Sequence, residues 1–334
     1  MNSVDVVIPC YKYGHYLRGC VDSVLSQPGV DVRVLIIDDC SPDNTAEVGK
    51  SLAVSDVRVS FRRHEVNRGH ICTYNEGLLE WAAGDYCVLL SADDFLAPGA
   101  LERAARIMDA NEQVVMTFGS AVKVYSDGRT EPAEPGCIDP AFRIVPGQEM
   151  LADFCRTAEN FVPTPTVVAR TSVQKSVGGY CLDLPHAGDM EMWMRFSAAG
   201  SVAILKAEQA FYRFHGSNMH VSYFQEPIRD LRERKAVFDR FFDLNGSRIE
   251  NAARLREIAY TNLGWSAFWT GSRAFEAGQD EACRDLLSFA VELFPALPNQ
   301  PEWSRLRWKQ RLGSKVCSLL LPLARYVRGH LCAA

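Results

Sequence analysis

The sequence lacks several features that would assign it to a particular class of protein. Its eleven cysteines form no C-x-x-C pair and show no regular spacing, which argues against a disulfide framework and favours free thiols in the reducing cytoplasm. The first residues carry no basic stretch followed by an apolar core, so no secretory signal is expected. No apolar run reaches the roughly 18 residues that cross a bilayer. A net charge of −5 argues against nucleic acid as the main partner.

The composition is that of an ordinary globular protein, with 47% hydrophobic and 23% charged residues. A chain of 334 residues can form one large α/β domain with a smaller appended region. Residues 303–334 differ, because they carry seven cations and no acidic residue, interleaved with Trp303, Trp308 and an apolar stretch at 319–323. This pattern is typical of a helix on an anionic membrane surface. A solvated terminal helix that packs on the domain explains it almost as well.

Two apolar runs end at paired aspartates. Residues 34–37 lead into Asp38 and Asp39, and residues 86–90 lead through Ser91 into Asp93 and Asp94. Such runs are typical of buried strands in a parallel sheet, whose carboxyl ends share a ligand-binding crevice. Carboxylates gathered there repel one another, so a cation or a set of hydrogen-bond donors is expected between them. A divalent ion carrying a diphosphate is the simplest candidate.

Strand and helix patterns alternate through the first 130 residues, which predicts a parallel sheet with right-handed crossovers. The predicted strands are 4–9, 32–37, 57–61, 86–90 and 114–124, and the predicted helices include 16–25, 70–83 and 98–110. Residues 126–146 are rich in Gly, Pro and acidic residues and are predicted to form a loop. A mixed segment follows, with helices at 148–156 and 189–199, an extended stretch at 166–169 and a strand at 202–207. Everything from about residue 227 has a helical pattern, including one helix pair that resembles a tetratricopeptide repeat.

Six motifs occur in the order that is typical of one enzyme family. With them the chain resembles a family 2 glycosyltransferase of the GT-A fold, over residues 4 to about 220. The motifs are Val6-Val-Ile-Pro-Cys-Tyr11, Ile36-Ile-Asp-Asp39, Asn67-Arg-Gly69 with Asn75 and Gly77, the Asp93–Asp94 pair, Gly188-Asp-Met-Glu-Met-Trp-Met-Arg195 and Tyr212-Arg-Phe-His215.

The resemblance implies a GT-A fold with a mostly parallel central sheet between helices. Its nucleotide-sugar-binding half would span residues 1–125 and its acceptor-binding half 126–220, followed by a helical region at 221–300 and a basic amphipathic tail at 301–334. The implied reaction moves a sugar from a nucleoside diphosphate donor, most simply a UDP-sugar, to an acceptor hydroxyl with inversion. Glycan or lipid-linked glycan acceptors of surface polysaccharide assembly are the expected partners. The expected location is the cytoplasm, with the inner face of the membrane as an alternative for the tail.

The nucleotide site implied by the resemblance comprises Asp39, Asp38, Pro9, Tyr11 and Arg68. Asp39 would accept a hydrogen bond from the uracil ring with support from Asp38, and Pro9 and Tyr11 would lie under the base. Arg68 would reach the base or a phosphate, although an exposed loop arginine fits the pattern nearly as well. The alternative for both aspartates is that they cap the following helix.

Asp93 and Asp94 correspond to the acidic metal motif of the family. We expect Asp94 to bind Mn²⁺ or Mg²⁺ and Asp93 to bind the metal or the ribose. The family usually has an acid where this chain has Ser91, which leaves the division between the two aspartates open. His215 is the expected third metal ligand, and a hydrogen-bonded structural role is the alternative.

Asp189 opens a predicted helix and corresponds to the general base that takes the proton of the acceptor hydroxyl. A first-turn aspartate is ordinarily a cap or a partner of the helix dipole, so that interpretation stays open. The family often has Glu before this residue, where this chain has Gly188. Trp193 and Arg195 on the same helix are expected to be structural.

Two other classes of function remain open at this point. A catalytically inactive sugar-nucleotide-binding protein is consistent with the departures at Ser91 and Gly188. A nucleotidyltransferase would also bind a nucleotide at strand ends, but it would carry a glycine-rich basic loop after the first strand. Here that loop, Pro9-Cys-Tyr-Lys-Tyr-Gly14, has one lysine and one glycine. The sequence identifies neither the sugar nor the acceptor.

Overall fold

The computed structural model describes residues 1–131, 141–216, 218 and 226–313. Within these ranges a ten-stranded sheet is flanked by helices, and a helical region follows it. The strands are β1 (Asn2–Cys10), β2 (Val30–Asp38), β3 (Val59–Arg63), β4 (Tyr86–Leu89), β5 (Phe95–Leu96), β6 (Val114–Tyr125), β7 (Thr130–Glu131), β8 (Phe142–Val145), β9 (Val168–Arg170) and β10 (Ser201–Phe214). The helices are α1 (Gly14–Leu25), α2 (Thr45–Ser55), α3 (His70–Asn75), α4 (Ala100–Ala110), α5 (Gly147–Thr157), α6 (Thr171–Val177), α7 (Gly188–Ala199), α8 (Pro227–Asn245), α9 (Ala252–Glu276), α10 (Asp280–Leu293) and α11 (Pro301–Leu312).

Four strands on one side of the sheet are parallel, in the order β3-β2-β1-β4. Cys10 of β1 lies opposite Asp38 of β2, and Val7 lies opposite Leu89 of β4. The carboxyl ends of these strands therefore meet at one edge, as predicted from the two aspartate pairs. Since β2 and β4 flank β1 on either side, the loops that follow them face each other across the end of β1.

The other side of the sheet is mixed. The long strands β6 and β10 are parallel, whereas the short strands β5, β7, β8 and β9 pair antiparallel with their neighbours. The predicted α/β architecture, a sheet flanked by helices, is confirmed, with parallel pairing among β1 to β4 and between β6 and β10. The prediction of a loop over 126–146 is wrong at Thr130–Glu131, which pairs with β6, and at Phe142–Val145, which pairs with β10. Residues 132–140 lie outside the described residues.

Alternation along β1 divides the apolar residues between two layers. Val4, Val6 and Ile8 face one layer, which packs under α1 and α4, while Val7 faces the other. The layer around Val7 continues without a break into α7 and the C-terminal helices, where Phe238 and Phe241 are fully buried. The sheet and the helical region thus share one hydrophobic core. The domain limits predicted from the sequence stay predictions.

The described part of the C-terminal region, residues 226–313, is helical as predicted. The predicted helix pair corresponds to α9 and α10. The contacts show that the two helices are antiparallel: Gly264 lies against Leu293 and Phe294, whereas Gly271, further along α9, lies against the earlier residue Leu286. Across the described ranges, no helix combines the length and the apolar character needed to span a membrane.

The helix predicted at 70–83 begins as α3 and continues as a π-helical turn, Glu76–Trp81. Gly77 lies against β1 so closely that a Cβ atom there would be 2.2 Å from Cγ1 of Val7. The absence of a side chain at this position lets the turn approach the sheet. Because the turn carries Glu76, this contact also fixes the position of a carboxylate that pairs with His64.

We expect Gly77→Ala to lower the free energy of unfolding by about 1–3 kcal/mol, because the added methyl group overpacks the contact with Val7. The double variant Val7→Ala, Gly77→Ala should recover part of this loss. Gly246→Ala is the control, since its Cβ would meet nothing closer than 3.7 Å. Urea unfolding measures all three, and an unchanged midpoint for Gly77→Ala would contradict the close contact.

Candidate active site

A cleft of about 710 Å³ opens at the sheet edge where β1, β2 and β4 end. Its walls come from these strand ends, from α3, from the segment before α7 and from the end of β10. Four aspartates contribute its acidic lining: Asp39, Asp93, Asp94 and Asp189. The sequence analysis had selected all four, and the structure brings them to one cleft.

Asp39 is buried and holds the loop at residues 67–69. Its Oδ1 atom accepts a hydrogen bond from the Arg68 backbone N–H at 2.8 Å, and its Oδ2 atom accepts one from the Gly69 N–H at 2.9 Å. The turn after β2 places it there, with Cys40 in the left-handed region at φ 61°. The Oδ2 atom, which has this one partner, retains capacity for a further hydrogen bond. The assignment of Asp39 to a nucleotide base stays a prediction.

Asp38 has a different environment, because it points into the turn and away from the cleft lining. Its Oδ1 atom accepts the Ser41 N–H at 2.8 Å, and its Oδ2 atom lies 3.4 Å from Nε of Arg63. Asp38 thus fixes the turn that carries Asp39. This placement agrees with the supporting role expected from the sequence and gives it no direct access to the cleft.

Pro9 and Tyr11 line the cleft beside Asp39, where the predicted base site would be. Tyr11 is exposed, and the Lys12 ammonium lies 4.8 Å from its ring centroid. The Arg68 guanidinium is outside the described lining. It pairs instead with Glu76 at 3.1 Å and is half exposed.

His64 is a site residue that the sequence analysis did not identify. Its buried imidazole bridges two carboxylates, with Nδ1 2.7 Å from Oδ1 of Asp39 and Nε2 3.0 Å from Oε2 of Glu76. These contacts hold Glu76 in its ionised form and lower its pKa, opposing the effect of its burial. The signal in the sequence was the position of His64 shortly after the strand predicted at 57–61, which the structure places at Val59–Arg63, parallel to β2.

Asp93 and Asp94 lie in the turn after β4 and are both buried. Burial raises the pKa of both carboxyl groups, and the neighbouring charge of Asp93 raises that of Asp94 further. The Oδ1 atom of Asp94 accepts the Arg213 backbone N–H at 3.0 Å, which ties the turn to β10. The pair is thus held in a geometry that favours a nearby cation.

His215, at the end of β10, reaches the same turn. Its Nε2 atom is 3.2 Å from Oδ2 of Asp93, and the Nδ2 atom of Asn218 is 3.4 Å from the same oxygen. The ring of Tyr16 stacks on His215 with a centroid separation of 5.6 Å and also lies 4.9 Å from the Arg213 guanidinium. Tyr16 on α1 therefore supports two of the residues that contact the aspartate pair.

The donor set fits a divalent cation that also binds a ligand. In the described part of the chain, no three His, Cys, Asp or Glu side chains are arranged as a complete metal site. Two protein ligands are nevertheless a common arrangement for Mg²⁺ when phosphate oxygens and water complete the octahedron. Asp93, Asp94 and His215 supply carboxylate and imidazole donors, and burial raises the pKa of both carboxyl groups.

Asp189 lies in the first turn of α7 and faces the cleft. Its Oδ2 atom accepts hydrogen bonds from Nδ2 of Asn160 at 3.0 Å and from Oγ1 of Thr164 at 2.8 Å. Burial raises the pKa of its carboxyl group, against the lowering effect of the hydrogen bond from Thr164. A fixed carboxylate with a raised pKa suits a general base. Asn160 and Thr164 were not identified from the sequence, because no motif marks their segment.

Arg195 and Trp193 are structural, as the sequence analysis expected. The Arg195 guanidinium pairs with Glu191 at 2.7 Å and donates to the carbonyl oxygens of Val177 and Gly179. Trp193 is buried between α7 and the sheet. Both residues fix α7, and with it Asp189, against the rest of the domain.

Comparisons with known proteins agree with this geometry. Residues 5–168 match the sequence model of Glycosyl transferase family 2. An uncharacterised protein of Mycobacterium tuberculosis is 26% identical over 244 residues, covering 71% of this chain and 73% of that protein. The chondroitin synthase of Pasteurella multocida is 33% identical over 125 residues, which are 37% of this chain and 13% of that enzyme. The structure of S. aureus TarS 1–349 in complex with UDP-GlcNAc matches with a TM-score of 0.66 at 16% identity, covering 87% of this chain and 81% of that one.

The fold and the cleft together define a GT-A-type protein. The chain belongs to glycosyltransferase family 2 and is an enzyme of that family. The family match ends at residue 168, before Asp189 and His215, so the positions of these two residues rest on the geometry of the cleft.

We expect His64→Ala to lower the free energy of unfolding by about 3 kcal/mol, because it leaves the buried carboxylates of Asp39 and Glu76 without their shared partner. His64→Asn should cost less, since its amide can still donate to one of them. The exposed His15 provides the control, and His15→Ala should change stability by no more than about 0.5 kcal/mol. Urea unfolding compares the three variants, and equal stabilities would argue against the bridging role.

Proposed function

We propose that this enzyme transfers a sugar from a UDP-sugar to an acceptor hydroxyl with inversion at the anomeric carbon, assisted by a divalent cation. The observation that carries the proposal is the meeting of three groups in one cleft: the predicted base site at Asp39, the aspartate pair and the oriented carboxylate of Asp189. Structures of the neighbour TarS in complex with UDP-GlcNAc and with UDP support a UDP-linked donor.

The donor would lie along the strand ends. Its base would occupy the space beside Pro9, Tyr11 and Asp39, with Asp38 behind Asp39 and Arg68 at the outer rim. Its ribose and diphosphate would extend toward Asp93 and Asp94. The cleft volume of about 710 Å³ is within the range of small-molecule sites.

The charge of the cleft supports the requirement for a cation. Its described lining includes four aspartates and no Lys or Arg, so a diphosphate would meet carboxylates of its own sign. Asp94, Asp93 and His215 are the residues that would hold Mn²⁺ or Mg²⁺. When bound, such an ion neutralises the leaving diphosphate.

Asp189 is the proposed general base. Asn160 and Thr164 donate to one of its oxygens, which fixes the carboxylate on the side of the cleft away from α1 and β2. It would accept the proton of the acceptor hydroxyl as the oxygen forms a bond to the anomeric carbon and the bond from that carbon to the diphosphate breaks. Because the hydroxyl attacks opposite the leaving group, the configuration inverts and no covalent intermediate forms.

The proposal also covers the acceptor and the cellular setting of the enzyme. A glycan or lipid-linked glycan of surface polysaccharide assembly suits the sequence pattern of the tail, and the Pasteurella chondroitin synthase match is consistent with a glycan acceptor. Of the proposed membrane-contacting tail at 301–334, the structure describes α11, where Trp308 is exposed and Trp303 stacks on Phe268. Residues 314–334 lie outside the described residues.

We expect Asp189→Asn to reduce kcat by about 10²–10⁴-fold while UDP binding is retained, because only proton transfer is removed. In the wild type, the base works in its ionised form, so a raised carboxyl pKa moves the acid limb of kcat to higher pH than an ordinary aspartate would give. The limb should disappear in the variant. Tight UDP binding by both proteins with no turnover would instead favour an inactive binding protein.

We expect UDP with Mn²⁺ to raise Tm by about 5 °C at saturating concentration, and UDP alone to have a smaller effect. Asp94→Asn should lose the part that depends on Mn²⁺, since the carboxylate charge is removed. Asp127→Asn is the matched control, because Asp127 is an exposed loop residue. Equal stabilisation with and without Mn²⁺ would contradict the metal-assisted donor site.

A further inference from the structure

The wall of the cleft beside Asp189 is aromatic. His70, Tyr74 and Tyr180 line it, and their rings meet edge to face at centroid separations of 5.3 Å and 5.5 Å. Burial raises the pKa of Tyr74 and of Tyr180, and the nearby charge of Asp189 raises both further. This set, which we call the aromatic wall, therefore faces the proposed base and lies where an acceptor sugar must sit.

The position of the aromatic wall is itself fixed. The Asn75 side chain exchanges two hydrogen bonds with the backbone of Tyr180, at 2.9 Å and 2.6 Å, which joins α3 to the segment before α7. The Nε2 atom of His70 lies 2.9 Å from the carbonyl oxygen of Pro185. A rigid wall of rings suits the apolar C–H face of a sugar, with polar groups at the rim to bind its hydroxyls.

The electrostatics of this end of the cleft are acidic. Its charged lining is carboxylate, and two nearby guanidinium groups are held by other partners: Arg213 between the rings of Tyr16 and Phe95, and Arg68 on Glu76. His186 also lines the cleft, but its Nε2 atom lies 3.4 Å from a carboxylate oxygen of Asp230.

The aromatic wall and the acidic lining both indicate which acceptor the cleft would bind. The proposed donor is anionic, and the cation proposed at the aspartate pair would balance it there. An anionic acceptor would place a second negative group against Asp189 in its working, ionised form, and like charges in a partly desolvated cleft repel strongly.

Resting on the transferase function proposed above, we propose that the acceptor is an uncharged sugar bound on the aromatic wall, and that the cleft discriminates against anionic sugars such as uronic acids. The cleft would discriminate between two acceptors by the charge at one position of the sugar. It therefore separates substrates that are otherwise alike in shape.

Matched acceptor pairs test this proposal. p-Nitrophenyl glucoside and glucuronide, and the corresponding galactoside and galacturonide, differ only at C6. Each is supplied with Mn²⁺ and a panel of UDP-sugars, and products are measured by mass spectrometry together with released UDP. We expect kcat/KM to be at least about tenfold higher for the neutral member of a pair. Equal or faster transfer to a uronide, or no transfer to any neutral sugar, would overturn the proposal.

A charge variant gives a second readout. His186→Arg places a permanent cation at the rim near Asp189. We expect this variant to lower the ratio of kcat/KM for the neutral acceptor to kcat/KM for the uronide by about tenfold. Leu182→Arg is the control, since Leu182 is an exposed residue of the same segment outside the described lining. An unchanged preference in His186→Arg would count against the electrostatic basis.

Donor measurements separate this inference from the function on which it rests. UDP stabilisation and slow hydrolysis of a UDP-sugar without acceptor report only the donor site. If both are present and the acceptor preference is absent, the inference alone fails. If both are absent, the proposed function fails and the inference with it.

Discussion

Repulsion between buried carboxylates at one edge of the sheet is the constraint on which the site depends. Parallel strands end together, so the loops after β2 and β4 bring Asp39, Asp93 and Asp94 into one cleft, and α7 adds Asp189. Burying carboxylates without partners has a large cost in free energy, and the environment that offsets this cost differs from one aspartate to the next. Asp39 is satisfied by backbone N–H groups and His64, whereas the aspartate pair keeps carboxyl groups whose pKa values are raised.

This difference divides the cleft into two parts. In one part, the carboxylate of Asp39 has its partners within the protein, and in the other we propose that a ligand pairs with Asp93 and Asp94. The base end is prearranged, because the contacts of Asp39 are internal to the protein and hold the loop at 67–69 in place. In the middle of the cleft, burial keeps the carboxyl pKa values of the aspartate pair raised, and the cation proposed there would reduce the repulsion between the two carboxylates. Asp189 lies between these extremes, because two neutral side chains orient it without cancelling its charge.

The predictability of these parts follows from the range of the contacts involved. The strand ends and their aspartates were predicted because apolar runs and turn residues are local signals. Thr130–Glu131 was missed because a strand of two residues is too short to show an alternating pattern. Phe142–Val145 was missed because it pairs with β10, a partner far along the chain. His64 was missed for a similar reason, since its partners Asp39 and Glu76 meet it only once the sheet is formed. Arg68 matched a motif, yet its side chain pairs with Glu76 at the rim, which no local pattern could show.

The shared core of sheet and C-terminal helices has a consequence for synthesis of the protein. The layer around Val7 includes Phe238, Phe241 and residues of α9, so the apolar face of α7 is covered only after more than 200 residues have been made. A nascent chain emerges from its amino end, and every motif of the cleft precedes the helices that complete the core. The catalytic part would therefore spend its first moments with an apolar face open to other chains. A nascent-chain binder that shields this face until α8 emerges would protect the enzyme from aggregation.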